Sequence, residues 1–299
     1  MHVRASMHLM ELLLARAVAG GFGALPWRAA LATGARLGDA LHAAGVRRRV
    51  AEDNVARVVP GWDAAERARI VRDHYREVGR IASEYARLPE LVHAAPGEVC
   101  EVRGAEHLEA AAARGRGVIL MTGHFGNFEL LGAALGRIHP VDFVVRPLSN
   151  ARVDAWLTGR RAAAGVGTLR ADEGVRDIYR ALRAGRWVAM LADQDARRTG
   201  VFVPFLGRPA STPVGPARIA LATGAPIVMG FGVRGADGRH DLEIEPPHDP
   251  GERGAGAAAG EAVERLTAWH TARLEAWVRR APHQWFWLHR RWKTQPPAA

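Results

Sequence analysis

With a single cysteine, Cys100, the chain has no partner for an internal disulfide and no multi-cysteine metal site, so it suits a reducing compartment. Serine is almost as scarce. The four present, Ser6, Ser83, Ser149 and Ser211, all lie outside a Gly-x-Ser-x-Gly context, so a nucleophile elbow of the lipase and esterase kind is excluded. There is no P-loop, no Gly-x-Gly-x-x-Gly opening a helix after a strand, and no His-Glu-x-x-His. A long uninterrupted apolar run is also missing. The most hydrophobic stretch, Leu9 to Leu25, contains Glu11 and Arg16, each of which costs roughly 2.5 to 3.5 kcal/mol at a bilayer centre. A spanning helix is therefore disfavoured, and so is a signal peptide. Two readings stay open: an amphipathic helix lying in a membrane surface, with Leu9, Leu12, Leu13 and Ala17 on one side, or a helix docked on the protein's own core.

Lysine is nearly absent, Lys293 being the only one, yet Lys and Arg together number 41 against 31 acids, for a formal charge of +10. Such a surface favours anionic partners, and arginine forks match phosphate. A GC-rich genome would also write arginine throughout. Nucleic acid is not expected as a partner, because no basic run is interleaved with aromatics and no zinc-finger or ribonucleoprotein signature is present. With 48% hydrophobic residues in 299, a sizeable buried core is expected.

The pattern along the chain changes once. Residues 1–95 read as a helical region, rich in alanine, leucine and arginine and broken at Pro26, Gly45 and Pro60-Gly61. Residues 96–299 alternate short apolar runs with helical stretches. The runs are Gly117–Thr122, Val141–Arg146, Trp187–Ala192, Pro226–Val233 and His240–Glu245. Between or after them lie helical patterns near Asn127–Gly136, Val153–Ala164, Gly174–Ala184, Thr212–Thr223 and Glu261–Arg280. That rhythm predicts an α/β fold with a mixed, largely parallel sheet flanked by helices, preceded by the helical N-terminal region.

The segment richest in chemistry is Gly117-Val-Ile-Leu-Met-Thr-Gly-His124-Phe-Gly-Asn-Phe-Glu129, a strand that passes through a loop into a helix. Residues five apart in a continuous helix diverge by about 140 degrees, so His124 and Glu129 meet only if the chain turns at Gly126 and Asn127. The carboxylate would then hold one imidazole nitrogen and leave the other to take a proton from a hydroxyl, a task worth about 10² to 10⁴ in rate. The plainer alternative makes His124 a turn-filling loop residue and Glu129 a first-turn acid favoured by the helix dipole.

The His-x-x-x-x-Glu motif resembles that of the lysophospholipid acyltransferase superfamily, and more closely that of the bacterial lipid A biosynthesis acyltransferases. Further blocks follow in the same order: Val145-Arg146-Pro147 with Asn150, Arg160-Arg161, Leu191-Ala-Asp193-Gln194-Asp195, Val203 to Gly207, Ala220 to Pro226, Arg234, and Gln284 to Thr294. Arg47-Arg48-Arg49 and Asn54 fit the start of the family pattern, and the likeness covers about residues 45 to 295. It implies a glycerol-3-phosphate acyltransferase-like fold, with His124 as general base, Glu129 as its orienting acid, and no cofactor or metal. It further implies that Asn127 shapes the turn and that Arg146, Arg160, Arg161, Asp193, Asp195 and Arg234 serve the substrates. For Asp193 and Asp195, structural ion pairing is the competing reading. The donor would be an acyl carrier protein or acyl-CoA. The acceptor would be a hydroxyl of a lipid A precursor, attacked by direct transfer at the cytoplasmic face of the inner membrane. The rivals are another glycolipid such as a mannosylated phosphatidylinositol, an aminolipid, a lysophospholipid, or a non-catalytic lipid-binding protein. Arg290, Arg291 and Lys293 beside Trp285, Trp287 and Trp292 read either as an interfacial membrane patch or as a C-terminal strand packed on the core.

Overall fold

The computed structural model describes residues 2–58, 61–94, 97–252 and 256–297, with the side chains of the first few left aside. Pro60 and the change of pattern expected at 95–96 lie outside the described residues. Helices come first: α1 (His2–Gly23), α2 (Trp27–Ala43), α3 (Arg48–Val58), α4 (Ala64–Tyr85) and the short α5 (Leu88–Val92). Asp63 starts α4 with a capping box, its side chain accepting from the Glu66 backbone N–H while Glu66 reaches back to its own. α2 and α4 approach until their backbones touch. A Cβ on Gly38 would come within 2.0 Å of the Tyr75 carbonyl oxygen, so no other residue allows this crossing.

A seven-stranded sheet follows in the order β1-β9-β8-β2-β5-β3-β4. Its strands are β1 (Cys100–Arg103), β2 (Val118–Thr122), β3 (Val141–Val145), β4 (Val166–Arg170), β5 (Trp187–Leu191), β8 (Ile227–Arg234) and β9 (His240–Ile244). All neighbours run parallel except β8 and β9. The central strands are apolar at nearly every position, ending in Thr122 in β2 and Arg234 in β8, because both faces are covered. In β2, Ile119 and Met121 join the core on one side, with residues of α3, α4, α10 (Gly215–Thr223) and α11 (Ala257–Arg280). Val118 and Leu120 join the core on the other side, with residues of α5, α6 (Ala105–Ala112) and α7 (Phe128–Gly136). The remaining helices are α8 (Ala151–Ala163) and α9 (Arg176–Arg183).

The fold is the α/β arrangement that the alternating pattern predicts. Three pieces escape that reading: the edge strands β1 and β4, and the antiparallel pair β6 (Val201–Phe205) and β7 (Arg208–Thr212). All three are short, and Pro204, Pro209 and several glycines break their periodicity. α11 also begins earlier than Glu261, at Ala257.

The C-terminal segment packs on the core, as one of its two readings had it, but not as a strand. Residues 285–294 form neither an interfacial patch nor a strand, but an irregular strap in which Trp285, Trp287, Arg291 and Trp292 are buried. Arg291 is fully covered. It donates through Nη2 to Thr212 Oγ1 at 2.5 Å and through Nη1 to the Ser211 carbonyl, fastening the strap to β7. Only Arg290 and Lys293 of that basic run reach solvent.

Candidate active site

Strand register builds the site. Thr122 at the end of β2 lies opposite Leu191 at the end of the parallel neighbour β5. Counting two residues onward along each chain brings His124 beside Asp193, at the carboxyl edge of the sheet where open α/β folds bind ligands. The Asp193 carboxylate takes hold of His124 twice: Oδ2 accepts the His124 backbone N–H and Oδ1 meets imidazole Nδ1, both at 2.7 Å. Trp285 Nε1 donates to Oδ2 at 3.0 Å. Nδ1 therefore carries the proton, and Nε2 is left with its lone pair.

The loop between His124 and α7 holds its shape through two kinds of contact. Gly126 adopts φ 54°, and a Cβ there would lie 1.7 Å from the Gly232 carbonyl oxygen, so only glycine fits. Asn127 caps α7, its Oδ1 accepting from the Leu130 N–H at 2.9 Å and its Nδ2 donating to buried Glu84 at 2.8 Å. The strap lies against this loop: Gly126 N–H donates to the Gln284 carbonyl, and Phe286 N–H to the His124 carbonyl. Phe128 meets the imidazole edge-on at 5.5 Å between centroids, and Phe286 lies tilted at 6.1 Å. Two aromatic rings and a carboxylate thus enclose the ring, and Nε2 meets the side-chain amide of Gln194 in a long contact of 3.4 Å.

Electrostatics follow from this enclosure. Burial acts to lower the His124 pKa, but the Asp193 carboxylate, its hydrogen bond and the more distant Glu129 charge together raise it above 6.5. Burial likewise acts to raise Asp193. The His124 imidazole, its two N–H donors and Trp285 outweigh that and hold the carboxyl down to about 2.

The carboxylate against Nδ1 is thus Asp193 and not Glu129, which the motif spacing had put there. Glu129, in the first turn of α7, has Arg161 as its partner. It accepts from Arg161 Nε at 3.2 and 3.0 Å and from Nη2 at 2.6 Å, while the guanidinium carbon lies 6.0 Å from the Tyr85 and Phe143 rings. Arg160 donates to the Ala86 carbonyl and lies 3.6 Å from Glu90. Arg234, placed with the substrate-facing arginines by resemblance, is buried and spends its donors on Glu77, Glu84 and the Gly238 carbonyl. Asp195 accepts from Thr294 Oγ1 at 2.9 Å, and its backbone N–H donates to His289 Nε2. Arg146 is exposed, with no ion pair among the described residues. Gln194 and Phe286 entered only as parts of family blocks, and Trp285 also as part of the aromatic-basic C-terminal run. Nothing in their local sequence marks them as neighbours of His124, since the strap reaches the loop from about 160 residues away. Among the described residues no group of His, Cys, Asp and Glu is arranged to hold a metal ion.

Comparison with known proteins adds a second line of evidence. The sequence model of the bacterial lipid A biosynthesis acyltransferases matches residues 4–294. The chain is 29% identical to the lipid A biosynthesis lauroyltransferase of Escherichia coli over 253 residues, 84% of this chain and 80% of that protein. It is 32% identical to a phosphatidylinositol mannoside acyltransferase of Mycobacterium tuberculosis over 182 residues, 58% of each chain. A lipid A biosynthesis acyltransferase of Haemophilus influenzae is 25% identical over 254 residues, 83% of this chain and 76% of that one.

Proposed function

The chain belongs to the bacterial lipid A biosynthesis acyltransferase family and is an O-acyltransferase working between an acyl donor and a lipid acceptor; from that premise we propose how its residues divide the work. His124 is the general base. Its Nε2 takes the proton of an acceptor hydroxyl as the oxygen attacks the carbonyl carbon of an acyl thioester. The tetrahedral intermediate then expels the thiolate, and the imidazolium returns its proton to sulfur. Asp193 holds the imidazole in the tautomer this requires and stabilises its charged form. The observation that carries this reading is the double grip of Asp193 on His124, with Nε2 at the carboxyl edge of the sheet held only by a long contact to Gln194.

Glu129 and Arg161 act as a pair beside the base, Glu129 adding negative potential that favours imidazolium. Of Arg146, Arg160, Arg161 and Arg234, Arg146 alone has no ion pair among the described residues, which leaves its guanidinium available to a substrate. The donor is an acyl carrier protein or acyl-CoA, and the acceptor a lipid A precursor. The likeness to a phosphatidylinositol mannoside acyltransferase supports a second reading, in which the acceptor is another phosphorylated glycolipid.

We place the reaction at the cytoplasmic face of the inner membrane, with α1 against the lipid surface. No described helix is long and apolar enough to cross a membrane, yet α1 carries six of the eleven exposed large apolar side chains among the described residues: Met7, Leu9, Met10, Leu13, Leu14 and Val18. Its inner side is tied to α8, since Asn150 donates to the His8 carbonyl and to Glu11.

Mass spectrometry of the lipid A and phospholipid fractions of cells producing the wild-type chain or His124→Ala tests the assignment. One added acyl chain on a single lipid, lost in the variant, names the acceptor and supports the base. The same gain in both removes His124 from the mechanism.

A further inference from the structure

A basin of about 900 Å³ opens next to the site and shares a wall with it, because Gln194 both lines the basin and stands 3.4 Å from His124 Nε2. Its charge is one-sided. Arg47, Arg48 and Arg49 enter from the corner between α2 and α3, and Arg146 from the end of β3. Arg197 comes from the turn after β5, while Arg290 and Lys293 come from the strap. Seven cations thus face one carboxylate, Asp195, which already accepts from Thr294. Arg48 reaches out to Glu52 at 3.1 Å, and none of the other six is ion-paired among the described residues.

The backbone here runs against local preference as well. Arg47 and Arg197 adopt φ 55° and 58°, two of the three non-glycine residues with positive φ among those described. A β-carbon makes that conformation costly, and such outliers persist where the surroundings require them. The first turn of α3 holds no acid and starts with Arg48 and Arg49, although the positive end of a helix dipole disfavours cations. Each of these choices raises the positive potential of one recess. Folding gains nothing from that, whereas binding of a multiply charged anion does.

We propose that this basin binds a head group carrying at least two phosphates, as part of one of the two substrates, and so seats that substrate beside His124. This rests on the acyl-transfer reading above. Arginine forks pair with phosphate oxygens two at a time, and a single carboxylate would leave most of the seven cations unanswered. A recess of this size suits a small polar head; a folded acidic protein would need a broad outer face. Two sources share this chemistry, a phosphorylated lipid head and the nucleotide of a coenzyme A thioester.

The test uses the full chain, with inorganic pyrophosphate as the probe in titration calorimetry and both substrates in steady-state kinetics. Arg49→Gln and Arg290→Gln are each expected to weaken pyrophosphate binding about tenfold, equivalent to ~1.4 kcal/mol. Arg265→Gln, the same charge change on the exposed face of α11, should leave binding as it was. In kinetics the two basin variants should raise one KM more than they lower kcat. A rise for the phosphorylated acceptor names the lipid head, and a rise for acyl-CoA names the nucleotide. Equal pyrophosphate affinity in all variants overturns the proposal. So does a KM rise seen only when the donor is an acyl carrier protein, which would mark a protein-docking face. If the wild-type chain binds pyrophosphate but transfers no acyl group to any lipid, the acyl-transfer reading fails while the anion site stands.

Discussion

Two carboxylates, each paired with a nitrogen base, flank the turn between β2 and α7, and they hold their partners to different ends. Asp193 grips His124 through both oxygens and leaves the far imidazole nitrogen open; Glu129 meets Arg161 with three contacts and closes both side chains against Tyr85 and Phe143. The first pair joins the ends of two parallel strands, while the second joins two helices. Both charges act on the imidazole, but only the first pair governs which of its nitrogens is free. Closeness in sequence therefore misassigns the partner, because in the first turn of α7 the Glu129 carboxylate is taken by Arg161 while the paired strands bring Asp193 to Nδ1.

Substitutions that keep shape can break or sharpen this contrast. Asp193→Asn is expected to lower kcat by about 10² to 10⁴, because the amide can no longer stabilise imidazolium or enforce the tautomer. The acid limb of its rate profile should move as well. With His124 as the proposed base, wild-type transfer should fall away as pH drops through a pKa above 6.5. Without the carboxylate, burial dominates and that limb should shift below its wild-type position. Glu129→Gln is expected to cost less in kcat and to move the limb less. The reverse order in these two variants would return the orienting role to Glu129.

A second effect concerns buried charge with no chemistry to perform. Arg234→Met leaves Glu77 and Glu84 buried without their guanidinium, and His240 beside Glu84 cannot answer both. A loss of about 3 to 5 kcal/mol is expected, read from denaturant unfolding. An unchanged midpoint would contradict a structural role for this arginine. Because Glu84 also holds Asn127, the same variant should slow transfer.

Gly126→Ala is expected to be destabilising by about 1 to 3 kcal/mol, from the strain at positive φ and the contact with the Gly232 carbonyl. It should displace His124 from Phe286, so activity should fall further than stability alone accounts for. Normal activity in a folded variant would show the loop to be more tolerant than its packing implies.

The smallest effect expected is the response of stability to mild acid. Burial lowers His74 and His270 to about 4, so between about pH 6.5 and 4 the unfolded chain takes up protons that the folded one refuses. Stability should decline as pH falls across that window. His124 works in the opposite sense, its pairing with Asp193 contributing fully below pH 6.5 and fading as pH rises through its raised pKa. Tm measured at pH 7 and pH 5 should differ, and the gap should narrow in His270→Phe.

Much of the sheet was legible before any coordinates. The apolar runs at 117–122, 187–192 and 226–233 mark the three central strands, because strands covered on both faces must be apolar at successive positions. Gly126 and Asn127 marked a turn, since their local backbone chemistry is the same wherever the segment lies. His124 at a strand end was legible for the same reason. The partner of His124 was not, because Asp193 reaches it only through the pairing of β2 with β5, and strand order is a property of the packed sheet. Trp285, Trp287 and Arg291 could not be told from a membrane-facing patch either. Their composition suits a headgroup zone and a protein interior equally well, and only the fit of the strap against β7 and the β2–α7 loop buries them. The sequence by itself determined which segments became strands and helices and which histidine stood at a strand end, since those follow from local periodicity and turn chemistry. Only the tertiary structure decided which carboxylate serves that histidine and that arginines from four distant segments share one basin, because contacts across more than a hundred residues depend on strand order and packing.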